Sequence, residues 1–202
     1  MFYRPEDGHG LPHDPFKAIV APRPIGWIST RDADGRNNLA PYSFFNGIAD
    51  NPPMVMFCSM GPKPGSGEAK DSIAIIRETG RFGVNVVSQA LAEPMNLTAA
   101  HYARGVDEFE HAGLEVMEGR VLDLPLVAAA PVAMECELWR EIDLPGSAVM
   151  ITGTVRAVHI RDEFLREGRL DVTAYRPLSR LGYMDYAAVE AVFAMPRPDD
   201  LV

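Results

Sequence analysis

Two long segments of strand-like sequence, residues 131–144 and 148–160, are separated only by a Pro-Gly turn signal. Shorter apolar and β-branched runs bounded by Pro, Gly or Asp predict further strands at 25–31, 38–45, 54–60 and 81–87. Helices are predicted at 71–79, which Gly80 ends, and at 90–99, where Ser88 is the expected N-cap. Strands outnumber helices and the connections are short. The sequence therefore predicts a mainly β (α+β) fold, an antiparallel barrel with helices packed outside.

The composition limits size, partners and compartment. A chain of 202 residues with 47% hydrophobic and 23% charged content is ordinary for one folded domain. We expect an arm over residues 1–15, one domain over 16–195 and a tail over 196–202. The formal charge of −9 argues against nucleic acid as a partner. No apolar run approaches the roughly 20 residues that span a bilayer, and the first residues lack a signal-peptide pattern, so we expect a cytoplasmic protein with no membrane partner.

The cysteine and histidine residues show no metal-binding pattern. Cys58 and Cys136 each lie in an apolar, strand-like context, which predicts two reduced core residues; a single disulfide is the alternative. His9 and His13 are four residues apart, but the Gly and Pro between them disfavour a helix that would bring them together. The remaining histidines have no ligand partner at a suitable spacing; they are His101, His111 and His159. We therefore expect no metal site, although any of the last three could line a nicotinamide pocket.

The segment from residue 22 to 46, PRPIGWISTRDADGRNNLAPYSFFN, carries more than a plain hairpin needs. Residues 25–31 predict a strand, DADG predicts a turn, and residues 38–45 predict the returning strand. The outgoing strand carries two hydroxyl side chains, Ser29 and Thr30, and the returning strand ends in small polar and aromatic residues. Short hydroxyls beside aromatic residues suit a flat ligand with polar edges. This hairpin therefore predicts a flavin site.

The start of the predicted helix 71–79 has the chemistry of an anion site. The first N–H groups of a helix are unpaired and carry the positive end of its dipole, which favours a phosphate. Lys70 would add a positive charge and Ser72 a hydroxyl donor, while Asp71 would cap the helix. An ordinary capped helix beside a solvated lysine is the alternative, and from these residues alone it is the commoner arrangement.

These segments resemble the flavin reductase-like family, whose members bind FMN or FAD in a split β-barrel. Five pieces appear in family order: residues 22–46, 70–72 (KDS), 78–86 (ETGRFGVNV), 105–109 (GVDEF) and 176–182 (RPLSRLG). Ser72 stands where Thr is usual in the family, which keeps the hydroxyl, and Ile75 stands where many relatives have Asn. The resemblance implies a split β-barrel with Greek-key-like antiparallel strands and peripheral helices.

The resemblance also implies which residues hold the flavin. Because side chains alternate along a strand, we expect Thr30 to contact it by side chain and Ser29 by backbone. Arg23 lies in a stiff Pro-Arg-Pro segment, where it would either meet an anion or form a surface salt bridge. In a dimer, Arg180 and Tyr183 would reach the neighbour's cofactor. The expected cofactor-binding residues are Arg23, Ser29, Thr30, Pro41, Tyr42, Ser43, Phe44, Asn46, Lys70, Ser72, Arg180 and Tyr183.

For activity, the resemblance implies an NAD(P)H:flavin oxidoreductase. NADH or NADPH would dock transiently over bound FMN, with FAD as the alternative cofactor. Hydride passes between the two cofactors, so we expect no catalytic acid or base. A homodimer is expected, and a partner monooxygenase would receive the reduced flavin. Two alternatives stay open: an FMN-binding protein for electron transfer, storage or oxidation of another substrate, and a cofactor-free dimeric barrel that serves as an interaction module.

Overall fold

The computed structural model describes residues 1–63, 65 and 67–198. Most of its regular structure is antiparallel β-sheet. In chain order the strands are β1 (Arg23–Pro24), β2 (Gly26–Arg31), β3 (Asn37–Tyr42), β4 (Phe45–Asp50), β5 (Pro53–Ser59), β6 (Arg81–Val86), β7 (Val116–Glu118), β8 (Pro125–Val127), β9 (Val132–Leu144), β10 (Ala148–Ile160), β11 (Leu165–Arg166), β12 (Arg169–Leu170), β13 (Leu178–Arg180) and β14 (Tyr186–Ala188). The α-helices are α1 (Phe16–Ile19), α2 (Asp71–Thr79), α3 (Ala92–Leu97), α4 (Glu108–His111) and α5 (Val172–Tyr175).

The barrel is a seven-stranded antiparallel sheet in the order β3-β2-β6-β9-β10-β5-β4. Three hairpins, β2–β3, β4–β5 and β9–β10, are thereby joined edge to edge, with β6 between the first and the last. Two register shifts interrupt the β9–β10 pairing, and such bulges bend a strand around a barrel. A smaller sheet, β1-β13-β14, joins the early chain to the late chain, with Arg23 opposite Arg180. The mainly β split barrel predicted from the sequence is confirmed.

Neighbouring residues of β2 face two different cores. Ile28 packs with Phe57, Phe82 and Ile76 in the cluster beneath α2. Trp27, on the opposite face of the strand, belongs to a second cluster that includes residues of β3, α3 and α4. Both side chains of this β2 pair are fully buried. Because side chains alternate across a strand, β2 is a wall that the two cores share.

The local predictions hold for most elements, but those for the end of β3 and for the Ser88 cap are wrong. Helix α2 is confirmed over 71–79, and Gly80 ends it in the left-handed region at φ 71°. The returning strand does not run to Phe45: β3 ends at Tyr42, the chain bends, and Phe45 begins β4, which pairs with β5. Ser88 makes no side-chain cap, because a short 3-10 turn over Gln89–Leu91 precedes α3. The prediction of two reduced, buried cysteines is confirmed.

The segments outside the barrel are described in part. Residues 1–15 are mostly exposed, and the ring of His13 lies 5.7 Å from that of Tyr183. The division into arm, domain and tail stays a prediction, and residues 199–202 of the tail lie outside the described residues. In the described ranges, no helix combines the length and apolar character needed to cross a membrane.

Candidate functional site

A cleft between β3, the start of α2 and the segment after α3 consists of two adjoining cavities. The helix-side cavity, about 410 Å³, is lined by Asn38, Ser72, Glu108 and residues 98–103. The arginine-side cavity, about 440 Å³, is lined by residues of β1, β3, β5, α3 and β13 and by the bend after β3. Both cavities share the same wall residues, which are Pro41, Tyr42, Lys70 and Ala99. An elongated ligand can therefore lie across both.

Lys70 lies at the junction of the two cavities, at the first turn of α2. It occupies the N-cap position with extended backbone, and no side chain caps the helix there. Asp71, the expected cap, instead forms an ion pair with Lys63 at 2.6 Å, so that prediction is wrong. The Lys70 ammonium lies 5.8 Å from the centre of the Tyr42 ring, and burial lowers its pKa. Among the described residues it has no carboxylate at ion-pair distance, so its charge is available to an anion in the cleft.

Ser72 and Tyr42 supply the polar floor of the helix-side cavity. The Ser72 hydroxyl is 1% exposed and accepts a hydrogen bond from the Asn38 amide at 2.9 Å. Burial raises the pKa of Tyr42 to about 12, and its hydrogen bond with Ser72 opposes that rise. The phenol is therefore neutral near neutral pH. An uncapped helix start, a lysine and a serine hydroxyl together form a suitable donor set for a phosphate.

Arg23 supports the arginine-side cavity rather than projecting freely into it. Its guanidinium donates hydrogen bonds to the carbonyl oxygens of Lys17 and Val20 and, at 2.7 Å, to that of Leu181. It also lies 5.6 Å from the centre of the Phe44 ring. The surface salt bridge considered from the sequence is wrong, because the side chain is buried and bonds backbone carbonyls. Arg23 thus ties the segment around α1 to the segment after β13.

The arginine-side cavity is electropositive. Its lining includes four cations, Lys17, Arg23, Lys70 and Arg180, and no Asp or Glu among the described residues, although the chain carries a net charge of −9. The Arg180 guanidinium lies 4.4 Å from the centre of the Tyr186 ring. Desolvation and then the Arg180 charge lower the pKa of Arg23. Such a cavity favours aromatic ligands that carry negative charge.

Most of the predicted site residues meet at this cleft. Those that line it are Arg23, Pro41, Tyr42, Ser43, Phe44, Lys70, Ser72, Arg180 and Tyr183. Arg180 and Tyr183 line the cleft of their own chain. Tyr183 has a left-handed backbone at φ 57°, and its carbonyl accepts a hydrogen bond from Arg180. Their reach toward a neighbour's cofactor stays a prediction.

Three predicted residues do not lie at the cleft, and their placement needs correction. Ser29 is fully buried in β2, where it donates to the carbonyl of Pro125 and accepts from the Asn85 amide at 3.1 Å. Thr30, also fully buried, faces the opposite side of β2, and its hydroxyl has no hydrogen-bond partner among the described residues. Asn46 is exposed on β4 and caps the N–H of its neighbour. The alternation of β2 points the two hydroxyls into the buried regions on either side of the strand, and the bend after Tyr42 carries Asn46 away.

Residues that the sequence reasoning did not select also line the cleft. Glu108 is 7% exposed, and its carboxylate accepts a hydrogen bond from the N–H of Leu39 at 3.0 Å. Burial, with smaller contributions from nearby charges, raises its pKa to about 7. Thr98 lines the same cavity and accepts a hydrogen bond from the Trp27 indole at 2.8 Å. Glu108 lies within the GVDEF piece of the resemblance, but no spacing in the sequence shows that it approaches β3.

The histidines have separate environments. His101 lines the helix-side cavity, and the ring of His111 lies 4.7 Å from that of Tyr102. The imidazole of His159 lies far along the sequence in β10 and is 2.7 Å from the carboxylate of Glu135. Over the ranges that the structure describes, no cluster of three or more His, Cys, Asp or Glu side chains is arranged to hold a metal ion.

The fold and the cleft together define a class: a split β-barrel with an elongated cleft suited to a planar ligand that carries a phosphate. The chain belongs to the flavin reductase-like family, because the model of the flavin reductase like domain matches residues 20–184. An uncharacterized protein of Aquifex aeolicus is 35% identical, over 81% of this chain and 83% of its own length. Another from Deinococcus radiodurans is 37% identical, over 82% of this chain and 74% of its own length.

Two solved structures are similar at 29% sequence identity. Nitrilotriacetate monooxygenase component B from Bacillus cereus has a TM-score of 0.87, covering 96% of this chain and 98% of its own. The 2-nitrobenzoate 2-nitroreductase of Pseudomonas fluorescens has a TM-score of 0.80, covering 91% of this chain and 88% of its own. Family membership and these neighbours support a flavin-dependent oxidoreductase as the broad kind of protein.

Proposed function

We propose that the protein is an NAD(P)H:flavin oxidoreductase, in which FMN bound in the cleft receives hydride from a nicotinamide nucleotide. The observation that carries this proposal is the position of Lys70, which joins an anion-binding helix start to a cationic aromatic cavity. One end of this cleft suits a phosphate and the other suits a ring system that a second anionic substrate can approach.

The residues of the helix-side cavity suit one phosphate. Helix α2 is nine residues long and has no side-chain cap, so its first N–H groups can donate to a phosphate together with Lys70 and Ser72. A helix start contributes about 0.3–1 kcal/mol to binding an anion, and each charged hydrogen bond about 1.5–3 kcal/mol. Lys63 is already paired with Asp71, and the lining of this cavity also includes the carboxyl groups of Glu68 and Glu108. A second phosphate would lack a cation there, which favours FMN over FAD.

The arginine-side cavity would hold the flavin ring. When bound, the flavin supplies the chemistry of hydride acceptance. The chain supplies placement, because Pro41, Tyr42, Ser43 and Phe44 form one wall of this cavity. Tyr42 stays protonated, with a pKa of about 12, and burial also raises the pKa of Cys58. The wall therefore offers no general acid or base near neutral pH, which is compatible with hydride transfer between two cofactors because that step needs neither.

Lys17 and Arg180 are the groups proposed to recognise the nicotinamide nucleotide. Both line the arginine-side cavity, and neither is required for the phosphate end of the flavin. A nicotinamide dinucleotide carries a pyrophosphate, which cations attract and orient. We also propose a homodimer and release of reduced flavin to a partner monooxygenase. The similarity to a monooxygenase component supports this partner, and the exposed edge strand β4 offers a surface for self-association.

A second candidate is reduction of an anionic nitroaromatic compound by the flavin. The similarity to a 2-nitrobenzoate nitroreductase and the cationic, aromatic lining around Phe44 and Tyr186 favour it. This candidate shares the flavin and the nicotinamide nucleotide with the first, and differs only in the final electron acceptor. Steady-state turnover with NADH and free FMN, compared with NADH and 2-nitrobenzoate, distinguishes the two.

The phosphate assignment is tested by Lys70→Ala. Loss of one charged hydrogen bond should weaken FMN binding by about tenfold or more, because such a bond contributes about 1.5–3 kcal/mol. Arg156→Ala is the matched control, since Arg156 is an exposed cation whose partner is Glu137 on the barrel surface. Fluorescence titration with FMN measures both variants. Equal affinity in Lys70→Ala and the wild type would refute the assignment.

A further inference from the structure

We propose that binding of the flavin phosphate at the start of α2 takes up a proton at Glu108, so that this carboxyl sets the pH range over which the protein retains FMN. This inference rests on the proposed function, because it requires a phosphate in the helix-side cavity. It assigns a role to a buried acid that hydride transfer does not use.

Consecutive residues of β3 connect Glu108 to the phosphate site. The side chain of Asn38 donates to the Ser72 hydroxyl at 2.9 Å, and the N–H of Leu39 donates to the Glu108 carboxylate at 3.0 Å. Ser72 and Glu108 both line the helix-side cavity. A phosphate held by Ser72 and Lys70 therefore lies in the same cavity as the Glu108 carboxyl, and because that carboxyl is buried its charge is screened less than an exposed one.

The charges that act most strongly on Glu108 are negative. The titratable and charged groups that face this cavity are Tyr42 from β3, Lys63, Glu68, Lys70 and Asp71 from α2 and the segment before it, and His101 and Tyr102 from the segment after α3. On its own element, Asp107 precedes Glu108 and caps α4. Burial is the main cause of the raised pKa of Glu108, the charges of Asp71 and Asp107 add to it, and backbone N–H groups oppose it. Lys63 does not compensate, because it is paired with Asp71.

A bound phosphate and an ionised Glu108 repel each other. Phosphate therefore binds more weakly when Glu108 is ionised, and Glu108 ionises less readily when phosphate is bound. By linkage, bound phosphate raises the pKa of Glu108 further, and ionisation of Glu108 weakens phosphate binding by the same factor. In its neutral form the carboxyl also carries an O–H that can donate a hydrogen bond. The phosphate monoester itself loses its second proton near pH 6, so above about pH 7 it is already a dianion. Any proton taken up there belongs to the protein.

The test compares FMN with riboflavin, which has the same ring and no phosphate. Calorimetric titration of the wild-type protein in buffers of different ionisation enthalpy counts the protons taken up. We expect uptake approaching one proton per FMN above about pH 7.5, and a Kd that rises by up to about tenfold per pH unit. Riboflavin should bind without proton uptake at Glu108. This comparison uses only the wild-type chain, so it does not depend on how a variant folds.

Two variants locate the proton. Glu108→Gln keeps an acceptor for the Leu39 N–H but cannot ionise, so its affinity for FMN should not decline above about pH 7.5, and its proton uptake should be absent. Glu110→Gln, an exposed change on the same helix, should behave like the wild type. FMN binding without proton uptake, or uptake that persists in Glu108→Gln, overturns this inference and leaves the proposed function intact. Failure of FMN to bind at any pH overturns the proposed function itself.

Discussion

Replacement of Glu108 by Gln should stabilise the protein without any flavin, and the gain should depend on pH. The Glu108 side chain is buried, and its pKa is raised from 4.5 to about 7. The folded form then holds this proton more tightly than the unfolded form. The free energy of unfolding therefore falls as pH rises from about 4.5 to about 7, and above that range this group causes no further change with pH. At about 1.4 kcal/mol per pKa unit, the loss amounts to about 3 kcal/mol. Gln cannot ionise, so the variant should not lose this unfolding free energy as the pH rises.

Urea denaturation of the apoprotein, followed by circular dichroism at several pH values from about 4.5 to about 8.5, measures this effect. The difference in unfolding free energy between Glu108→Gln and the wild type should grow by about 3 kcal/mol up to about pH 7 and then stay constant. Glu110→Gln, which alters an exposed carboxylate on the same helix, should follow the wild type throughout. A difference between Glu108→Gln and the wild type that is the same at every pH would refute the argument that burial of this carboxyl controls its ionisation.

Three further predictions test the barrel and the cleft. Gly83→Ala should lower stability by about 1–3 kcal/mol, because a Cβ there would clash with Ser29 and lie 2.7 Å from the side chain of Leu126. Gly47→Ala is the control, since a Cβ at that position has no atom nearer than 3.9 Å. Equal thermal unfolding of the two variants would contradict this prediction. Glu135→Gln should lower the free energy of unfolding by about 1–3 kcal/mol near neutral pH and by less in acid. The reason is that this carboxylate accepts hydrogen bonds from three backbone N–H groups and its pKa is lowered. A loss of thermal stability that does not shrink in acid would count against this prediction. Arg180→Ala should raise the KM for NADH severalfold and make that KM less dependent on salt, because it removes a cation from the arginine-side cavity. The KM for a neutral dihydronicotinamide should stay unchanged. Equal effects on both hydride donors would show that the charge of Arg180 is not what recognises NADH.

Much of the fold could be predicted because local patterns and tertiary packing agree. The long hairpin is visible from two apolar, β-branched segments around Pro145-Gly146, and β9 and β10 form there. Helix α2 is visible from Ile73 and Ile76, which share a buried face, and from the glycine that ends it. In each case the residues that define the element locally are also those that the core buries.

The cleft was harder to predict, because its geometry depends on pairing between distant segments. The bend after Tyr42 arises when Phe45 pairs with Phe57 of β5, a contact that the hairpin sequence does not encode. Both faces of β2 are buried by the elements around it, so the flavin contact expected from Thr30 has no counterpart at the cleft.

The buried charged groups of the cleft depend on the same long-range packing. Arg23 bonds the carbonyl of Leu181, which is far along the chain, and Glu108 reaches β3 only through the packing of α4. The position of Lys70 and Ser72 at a helix start could be predicted from local sequence alone, and their binding of an anion stays a prediction.

The central claim is that the cleft holds a flavin which a nicotinamide nucleotide reduces. The most direct test is the visible absorption spectrum of the purified protein, recorded without oxygen before and after addition of FMN and then of NADH or NADPH. The account predicts that the protein retains FMN through gel filtration and that the flavin absorption bands bleach when the nicotinamide nucleotide is added. Retained flavin whose bands neither NADH nor NADPH bleaches would contradict the reductase, and a protein that takes up no flavin would contradict the central claim itself.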